Sequence, residues 1–562
     1  MNVTPSSAAP WRRDLLLLLL AFGLLYGFRL GSYPLSNPDE GRYAEIPREM
    51  IATGDWVTPR LNGVNYFEKP PLVYWAGAVA QEIFGPAEWV IRAVPVAFAL
   101  AGVLLTYATA RRQYGRRAGW VAATVTGTSL LYFAIGHIPI LDMAVTMLIG
   151  ATLYAFILGV QEPPGARRRW LFYGLYAAAA LATLAKGLIG LLLPGAVMFG
   201  WLVVFNQWKR LRPFYLPTGA LLFLTVAVPW HVLVALHNPT WLHRYFVVEH
   251  WDRFFAVGGG HPGAWWYYLP IVLLGLFPWT GFVWPALRET LRGGWARRRA
   301  NADAWFYVTW AVFIFLFFSK ANTKLAPYIL PVVPPLAVLI GAGLAPAFAL
   351  PGAAARWRAG WRGFSFLAGL LAVALATVIL RPALVKMDAA QAAELQTTTW
   401  VMVAVLLLGG IIVPAVARRH GVRAGLAGIV ATVGLFFGAL MYAAPHLAKP
   451  GTKAVALYVK AHAGPGDRVM IYHEFFHDFT FYAQRPVDVV AFVGELELSE
   501  DAAARASGRF PDDAEFRRLW TQPGRIWVVA KNKAVAQLWA DPAFHYHLLA
   551  LSSDYCLFSN QP

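Results

Sequence analysis

The stretch Trp11-Arg-Arg-Asp-Leu-Leu-Leu-Leu-Leu-Leu-Ala-Phe-Gly-Leu-Leu-Tyr-Gly-Phe-Arg-Leu30 opens on two arginines and then runs almost unbroken through apolar side chains. The same pairing of basic loop and apolar span recurs down the chain. The loops are Arg12-Arg13, Arg111 to Arg117, Arg167 to Arg169, Lys209 to Arg212, Arg288 to Arg299, Arg356 to Arg362 and Arg418 to Arg423. Each is flanked by about 20 apolar residues, the length an α-helix needs to cross a hydrocarbon core of ~30 Å. Short loops rich in Lys and Arg stay cytoplasmic. The reading is a polytopic α-helical membrane protein with its N-terminus inside. Leu15 to Leu30 is read as a retained helix, because it lacks a clear small-residue cleavage site.

Composition excludes a soluble chain. Of 562 residues 58% are hydrophobic and only 14% charged, against roughly 25% charged in soluble domains. The net charge of +18 sits in the short loops, which fits anionic lipid at an inner membrane and not a nucleic-acid groove. One cysteine, Cys556, excludes an intramolecular disulfide and a thiolate metal cluster.

The first helix exits near Leu30, leaving Gly31 to Trp89 on the outer face. Spans are then expected at Val90 to Ala110, Ala118 to Ile135, Met143 to Val160, Trp170 to Thr183, Gly187 to Phe205, Phe214 to Leu236 and Trp265 to Leu287. Others follow at Ala304 to Phe318, Tyr328 to Phe348, Phe364 to Leu380, Trp400 to Ala417 and Ala424 to Ala443. The total is about 13 transmembrane helices, an odd number that puts the C-terminus outside. From Pro445 the apolar runs shorten to strand length, as in Arg468-Val-Met-Ile-Tyr472, Val487 to Phe492 and Arg525 to Ala530. Helix-like stretches alternate with them. The domain reading is therefore 1–444, membrane-embedded with an outer juxtamembrane loop at 31–89, followed by a soluble α/β domain at 445–562. Its roughly 115 residues suffice for a core.

Ionisable residues at or within a membrane are costly and mark function. The first outer segment contains Ser36-Asn-Pro-Asp-Glu-Gly-Arg-Tyr-Ala-Glu-Ile-Pro-Arg-Glu-Met50. Ser36 or Asn37 is expected to cap a helix with Pro38 at its first position. Asp39, Arg42 and Tyr43 then share one face, while Ile46 and Met50 make an apolar face suited to the membrane interface. Equally, Asp39 and Glu40 would complement the helix dipole without any further role. Further on, Tyr66-Phe-Glu-Lys-Pro-Pro-Leu-Val-Tyr-Trp75 holds Glu68 and Lys69 ahead of two prolines that stiffen the backbone. An amine presented there suits a phosphate, or it snorkels among aromatics. Asp142, Lys186, Arg253, Lys320 and Lys324, the last just before Tyr328, are also placed on the outer side. Together these cations and carboxylates read as a site for an anionic lipid headgroup. A divalent metal is left open, with Glu68, His250 and His462, among the outer histidines, as candidate ligands.

The segments Pro38-Asp-Glu-Gly-Arg-Tyr43, Gly54-Asp-Trp-Val57, Tyr66 to Trp75, Leu141-Asp142, Leu184-Ala-Lys-Gly187 and Lys324 with Tyr328 resemble the GT-C glycosyltransferases that use lipid-linked donors. Within that group they resemble the lipid A aminoarabinose transferases. The resemblance covers about residues 30 to 335. It implies inverting transfer of 4-amino-4-deoxy-L-arabinose from undecaprenyl phosphate to a lipid A phosphate, at the periplasmic face of the bacterial inner membrane. That reaction would confer resistance to polymyxin and cationic peptides. Lys69 and Arg253 would stabilise the leaving phosphate, assisted by Lys186 and Tyr328, with Tyr43 and Lys324 also on the donor side. Asp39 would either orient the acceptor or stabilise an oxocarbenium-like carbon. Arg42 would orient Asp39, and Glu68 and Asp142 would hold the sugar's amino group. No cofactor is expected beyond the undecaprenyl phosphate carrier, and a monomer is expected to suffice. Two other readings stand beside this one. One is a related polyprenyl-phosphate glycosyltransferase acting on protein hydroxyls or another envelope glycolipid. The other is a lipid flippase or transporter, against which the absence of internal repeats counts.

Overall fold

The computed structural model describes residues 11–252, 261–350, 352–385, 387–448, 451–491, 494, 496, 498 and 501–562. Among them, seven helices are individually long and apolar enough to cross a membrane. An eighth is reached if Tyr268–Gly275 and Thr280–Thr290, two helices bent by 89°, count as one span. The longest helix, Ala389–Leu447, is broken at Gly421 (φ 86°) and so supplies the last two expected spans. The remaining four fall on Trp11–Gly27, Arg116–Thr128 with Leu130–Ile135, Ala166–Lys186 and Ile189–Phe205. Every expected span thus coincides with helix. The tight join at Lys186 is made by Gly187, whose φ of +84° ends one helix before the next begins.

Two compact units emerge. The first comprises Met1–Leu30, Pro95–Pro229 and Phe246–His446, and the second Gly31–Val94, Trp230–Tyr245 and Leu447–Pro562. The first unit is helical and uses small residues for close approach, as membrane bundles do. A Cβ added at Gly281 would come 2.8 Å from the Cα of Gly363, so Thr280–Thr290 and Arg358–Leu380 touch backbone to backbone. The Tyr26 hydroxyl donates to the Gly127 carbonyl at 2.9 Å, satisfying a polar group that lipid would leave bare.

In the second unit, the segment after the first helix and the C-terminal residues build one core. A five-stranded sheet runs Asp488–Val490, Arg468–Tyr472, Ile526–Lys531, Tyr555–Ser559, His547–Leu551 across its width. The first three strands are parallel and the last two antiparallel to their neighbours. Helix Asp39–Thr53 packs on helix His477–Ala483. Its apolar face, expected at the membrane interface, is buried instead: Ile46 and Met50 are 0% and 1% exposed and join Val455, Val469 and Phe479 in one cluster. An apolar stripe serves lipid and protein core alike, so the stripe alone does not choose between them.

The tightest point of this packing is Gly41. A Cβ there would lie 2.5 Å from the Asp478 nitrogen and 2.6 Å from the His477 carbonyl carbon, both backbone atoms that cannot move aside cheaply. Gly41→Ala is expected to destabilise the unit by about 1–3 kcal/mol through overpacking. Gly174→Ala, where nothing lies within 4 Å, should be neutral or better. Thermal unfolding of the detergent-purified variants checks both.

Candidate active site

The loop entering helix Asp39–Thr53 is held by two buried networks. Arg92 grips Glu40 through Nε to Oε1 and Nη2 to Oε2, both 2.9 Å. Arg92 also donates to the carbonyls of Tyr33 (2.9 Å) and Pro34 (3.0 Å) and lies 3.6 Å from the Tyr33 ring centroid. Glu40 accepts in turn from the Ser36 amide (2.8 Å) and hydroxyl (3.0 Å). On the other side the Asn37 amide donates to Asp478 Oδ1, and the Asp478 N–H returns a bond to Asn37 Oδ1 at 2.9 Å. Asp478 is completed by the Thr452 N–H (2.8 Å) and hydroxyl (2.9 Å). Burial pushes its carboxyl above the usual range, and these donors oppose that rise. Neither Ser36 nor Asn37 caps the helix as expected, because each side chain is committed elsewhere. Pro38 occupies the cap position without a side-chain bond.

This frame presents Asp39, whose side chain is 57% exposed, beside Arg42 Nη1 at 3.6 Å. Arg42 is otherwise buried and lies 5.8 Å over the Tyr66 ring, and Tyr43 stacks on Tyr74 at 5.6 Å. Tyr43 feels the charges of Arg42, Asp39 and Glu68. Burial raises the Tyr43 and Tyr66 phenols well above their ordinary value, so both act as neutral groups. Lys69 Nζ donates to the Glu68 carbonyl (2.7 Å), with a Glu68 carboxylate oxygen at 3.9 Å. Arg42 thus stands beside Asp39, and the neutral Tyr43 phenol feels Arg42, Asp39 and Glu68 together.

The first unit contains its own cluster. Asp142 opens helix Leu141–Gln161 and Lys186 closes helix Ala166–Lys186. Their side chains meet at 2.5 Å, and Lys186 Nζ lies 4.3 Å over the Tyr328 ring. Asp142 is thus engaged by Lys186. Lys324 is buried, with Nζ on the Ala321 carbonyl and its N–H on the His261 carbonyl at 2.9 Å. Arg253 lies outside the described residues, as does the side chain of His250. His462 bonds the Tyr458 carbonyl (2.8 Å) and stacks on that ring at 4.1 Å. Among the described residues no three His, Cys, Asp or Glu side chains are grouped to hold a metal.

Glu40 and Arg92 are the residues that sequence reasoning passed over as a pair. The available signal was an arginine near the start of the apolar run Glu88–Tyr114, a costly placement unless paired.

Residues 68–232 match a family model described as dolichyl-phosphate-mannose-protein mannosyltransferase. The crystal structure of ArnT from Cupriavidus metallidurans bound to undecaprenyl phosphate superposes with a TM-score of 0.85 at 28% identity, covering 98% of both chains. The fold is that of a polytopic GT-C membrane glycosyltransferase. Curated relatives narrow the class. The undecaprenyl phosphate-alpha-4-amino-4-deoxy-L-arabinose arabinosyl transferase of Aeromonas salmonicida is 38% identical over 331 residues, covering 58% of this chain and 59% of that one. That of Edwardsiella ictaluri is 36% identical over 324 residues, covering 58% of each. The chain is similar to these arabinosyl transferases, and the matched region spans about three fifths of the length of those relatives.

Arg92→Met would strand a buried carboxylate and is expected to cost about 3–5 kcal/mol, with Glu40→Gln/Arg92→Met recovering much of that loss. A double-mutant cycle on unfolding midpoints checks the coupling.

Proposed function

We propose that this chain transfers 4-amino-4-deoxy-L-arabinose from undecaprenyl phosphate to a phosphate of lipid A, with inversion, at the periplasmic face of the bacterial inner membrane. In this reading residues 1–444 form the membrane part with its outer loop, 445–562 face the periplasm, the N-terminus is cytoplasmic, and one chain suffices. The observation that carries it is the Asp39–Arg42 and Glu68–Lys69 cluster, mounted on a buried frame in a fold that matches a transferase crystallised with undecaprenyl phosphate.

The chemistry follows from charge. The bond from the sugar's anomeric carbon to the undecaprenyl phosphate oxygen breaks, and a bond to a lipid A phosphate oxygen forms on the opposite face. Negative charge grows on the departing phosphate, and a preorganised cation there lowers the barrier. Lys69 takes that role, and Arg253 is assigned to the same phosphate. Lys186 adds a further cation, held by Asp142 and backed by Tyr328. Asp142 is therefore assigned to positioning Lys186 and not to the sugar's amino group, which is left to Glu68. The acceptor phosphate is already ionised, so Asp39 need not remove a proton. Its exposed carboxylate, oriented by Arg42, stabilises the cationic anomeric carbon or aligns the acceptor. Tyr43 and Lys324 complete the donor side.

The match to a protein mannosyltransferase model favours a second reading, transfer to a protein hydroxyl. That acceptor needs Asp39 as a base, so the rate would fall steeply at acid pH.

Wild type, Asp39→Ala and Lys69→Ala are to be expressed in a polymyxin-sensitive bacterium lacking its own aminoarabinose transferase. Wild type should add aminoarabinose to lipid A by mass and raise peptide resistance. Both variants should lose the added mass at equal protein level, the removed cation or carboxylate accounting for a loss of about 10²–10³ in rate. Unmodified lipid A with wild type, in cells and with purified components, would contradict the assignment.

A further inference from the structure

The segment Gly54-Asp-Trp-Val57 takes no part in the chemistry above, yet it builds something. Asp55 Oδ1 accepts from the Val57 and Thr58 amides, both at 3.0 Å, and Oδ2 holds Arg60 Nη1 at 2.7 Å. The carboxyl is thereby kept below its ordinary range although burial works the other way. Arg60, so fixed, lines a pocket of about 260 Å³ within the second unit, together with Gly63, Asn65, Asp501, Arg509 and Phe510. Arg509 is fixed just as firmly. Its Nη2 donates to the Asn62 carbonyl (3.0 Å), the Asn62 amide oxygen (2.8 Å) and the Val487 carbonyl (2.9 Å). Among the described residues, Nη1 of Arg509 and the Nε and Nη2 of Arg60 make no hydrogen bond, while Arg509 Nε faces Asp488 Oδ1 at 3.7 Å.

The one described carboxylate in the lining is already engaged. Asp501 accepts the Ala504 amide at 2.9 Å on Oδ1 and the Asn65 amide at 3.0 Å on Oδ2. Two immobilised guanidiniums with spare donors suit a carboxylate or a phosphate. Phe510 supplies an apolar ring beside them. Gly63 leaves the room: a Cβ there would stand 2.7 Å from Arg509 Nη1, and its φ of +74° favours glycine in any case. The volume is below the ~300–1,000 Å³ of sites for drug-sized ligands, so the occupant is a single small group.

The geometry points to a second binding site, formed by Arg60, Arg509 and Phe510, for one anionic sugar group, its carboxylate or phosphate on the guanidiniums and its apolar face on Phe510. The group comes either from the headgroup of the acceptor glycolipid, which rests on the function proposed above, or from a free periplasmic anion.

The test is calorimetric titration of the full chain in nanodiscs with glucose 1-phosphate, glucuronate and neutral glucose. Saturable binding of at least one anionic sugar but not of glucose is expected. Arg60→Gln should weaken it about tenfold through the lost charge-assisted bonds, Phe510→Ala should weaken it less, and Lys69→Ala should leave it intact. Absence of binding to wild type, equal binding by Arg60→Gln, or loss in Lys69→Ala alone would overturn the proposal. The source is read separately from transfer kinetics. A KM for lipid A raised about tenfold in Arg60→Gln with kcat retained assigns the site to the acceptor headgroup, and an unchanged KM with binding lost assigns it to a free anion. The titration does not require turnover, so a chain that binds but transfers nothing fails the functional reading and not this one.

Discussion

A guanidinium removed from water must find acceptors for its donors, and Arg92 finds them in Glu40 and in the carbonyls of Tyr33 and Pro34. Removing either partner of such a pair leaves a bare charge in a low-dielectric interior. The pair therefore fixes the chain from Tyr33 to Glu40 whether or not it adds net stability. Asn37 and Asp478 close the same loop from the other side. Asp39 lies between these two clamps, so the backbone that carries its exposed carboxylate is held on both sides. Under the proposed function, a site acting on charge that exists only in the transition state needs such prior positioning.

The two clusters of ionisable groups are built on different principles. Around Asp39 the rings of Tyr43, Tyr66 and Tyr74 form an aromatic bed on which a few charges stand. In the Asp142–Lys186 cluster, a cation is positioned by one carboxylate and by the face of Tyr328. The second arrangement keeps the lysine in a single place at helix ends, where backbone geometry is best defined. Both are consistent with recognition of a phosphate by ammonium groups whose positions are set before the ligand arrives.

Local signals were legible. Hydropathy and basic loops placed every span on helix, because span length and loop charge act within about 20 residues. The three parallel strands near 468, 488 and 526 were visible as short apolar runs between turn residues. Contacts across long separations were not legible. Arg92 and Glu40 stand 52 positions apart, and Asn37 and Asp478 stand 441 apart. No periodicity announces such pairs. The capping role expected of Asn37 failed for that reason, since the distant Asp478 takes its amide, whereas Ser36 bonds Glu40 four residues on. Ile46 and Met50 misled differently: their stripe was recognised, but the surface that covers it is supplied by residues more than 400 positions later.

Purified protein in nanodiscs, given undecaprenyl phosphate-linked aminoarabinose and lipid A and followed by mass spectrometry over a single turnover, measures the reaction itself. The account predicts that each aminoarabinose lost from the donor is recovered on a lipid A phosphate, with an equal amount of undecaprenyl phosphate released. Donor left intact in the presence of folded protein, or sugar released to water with lipid A unchanged, would contradict it.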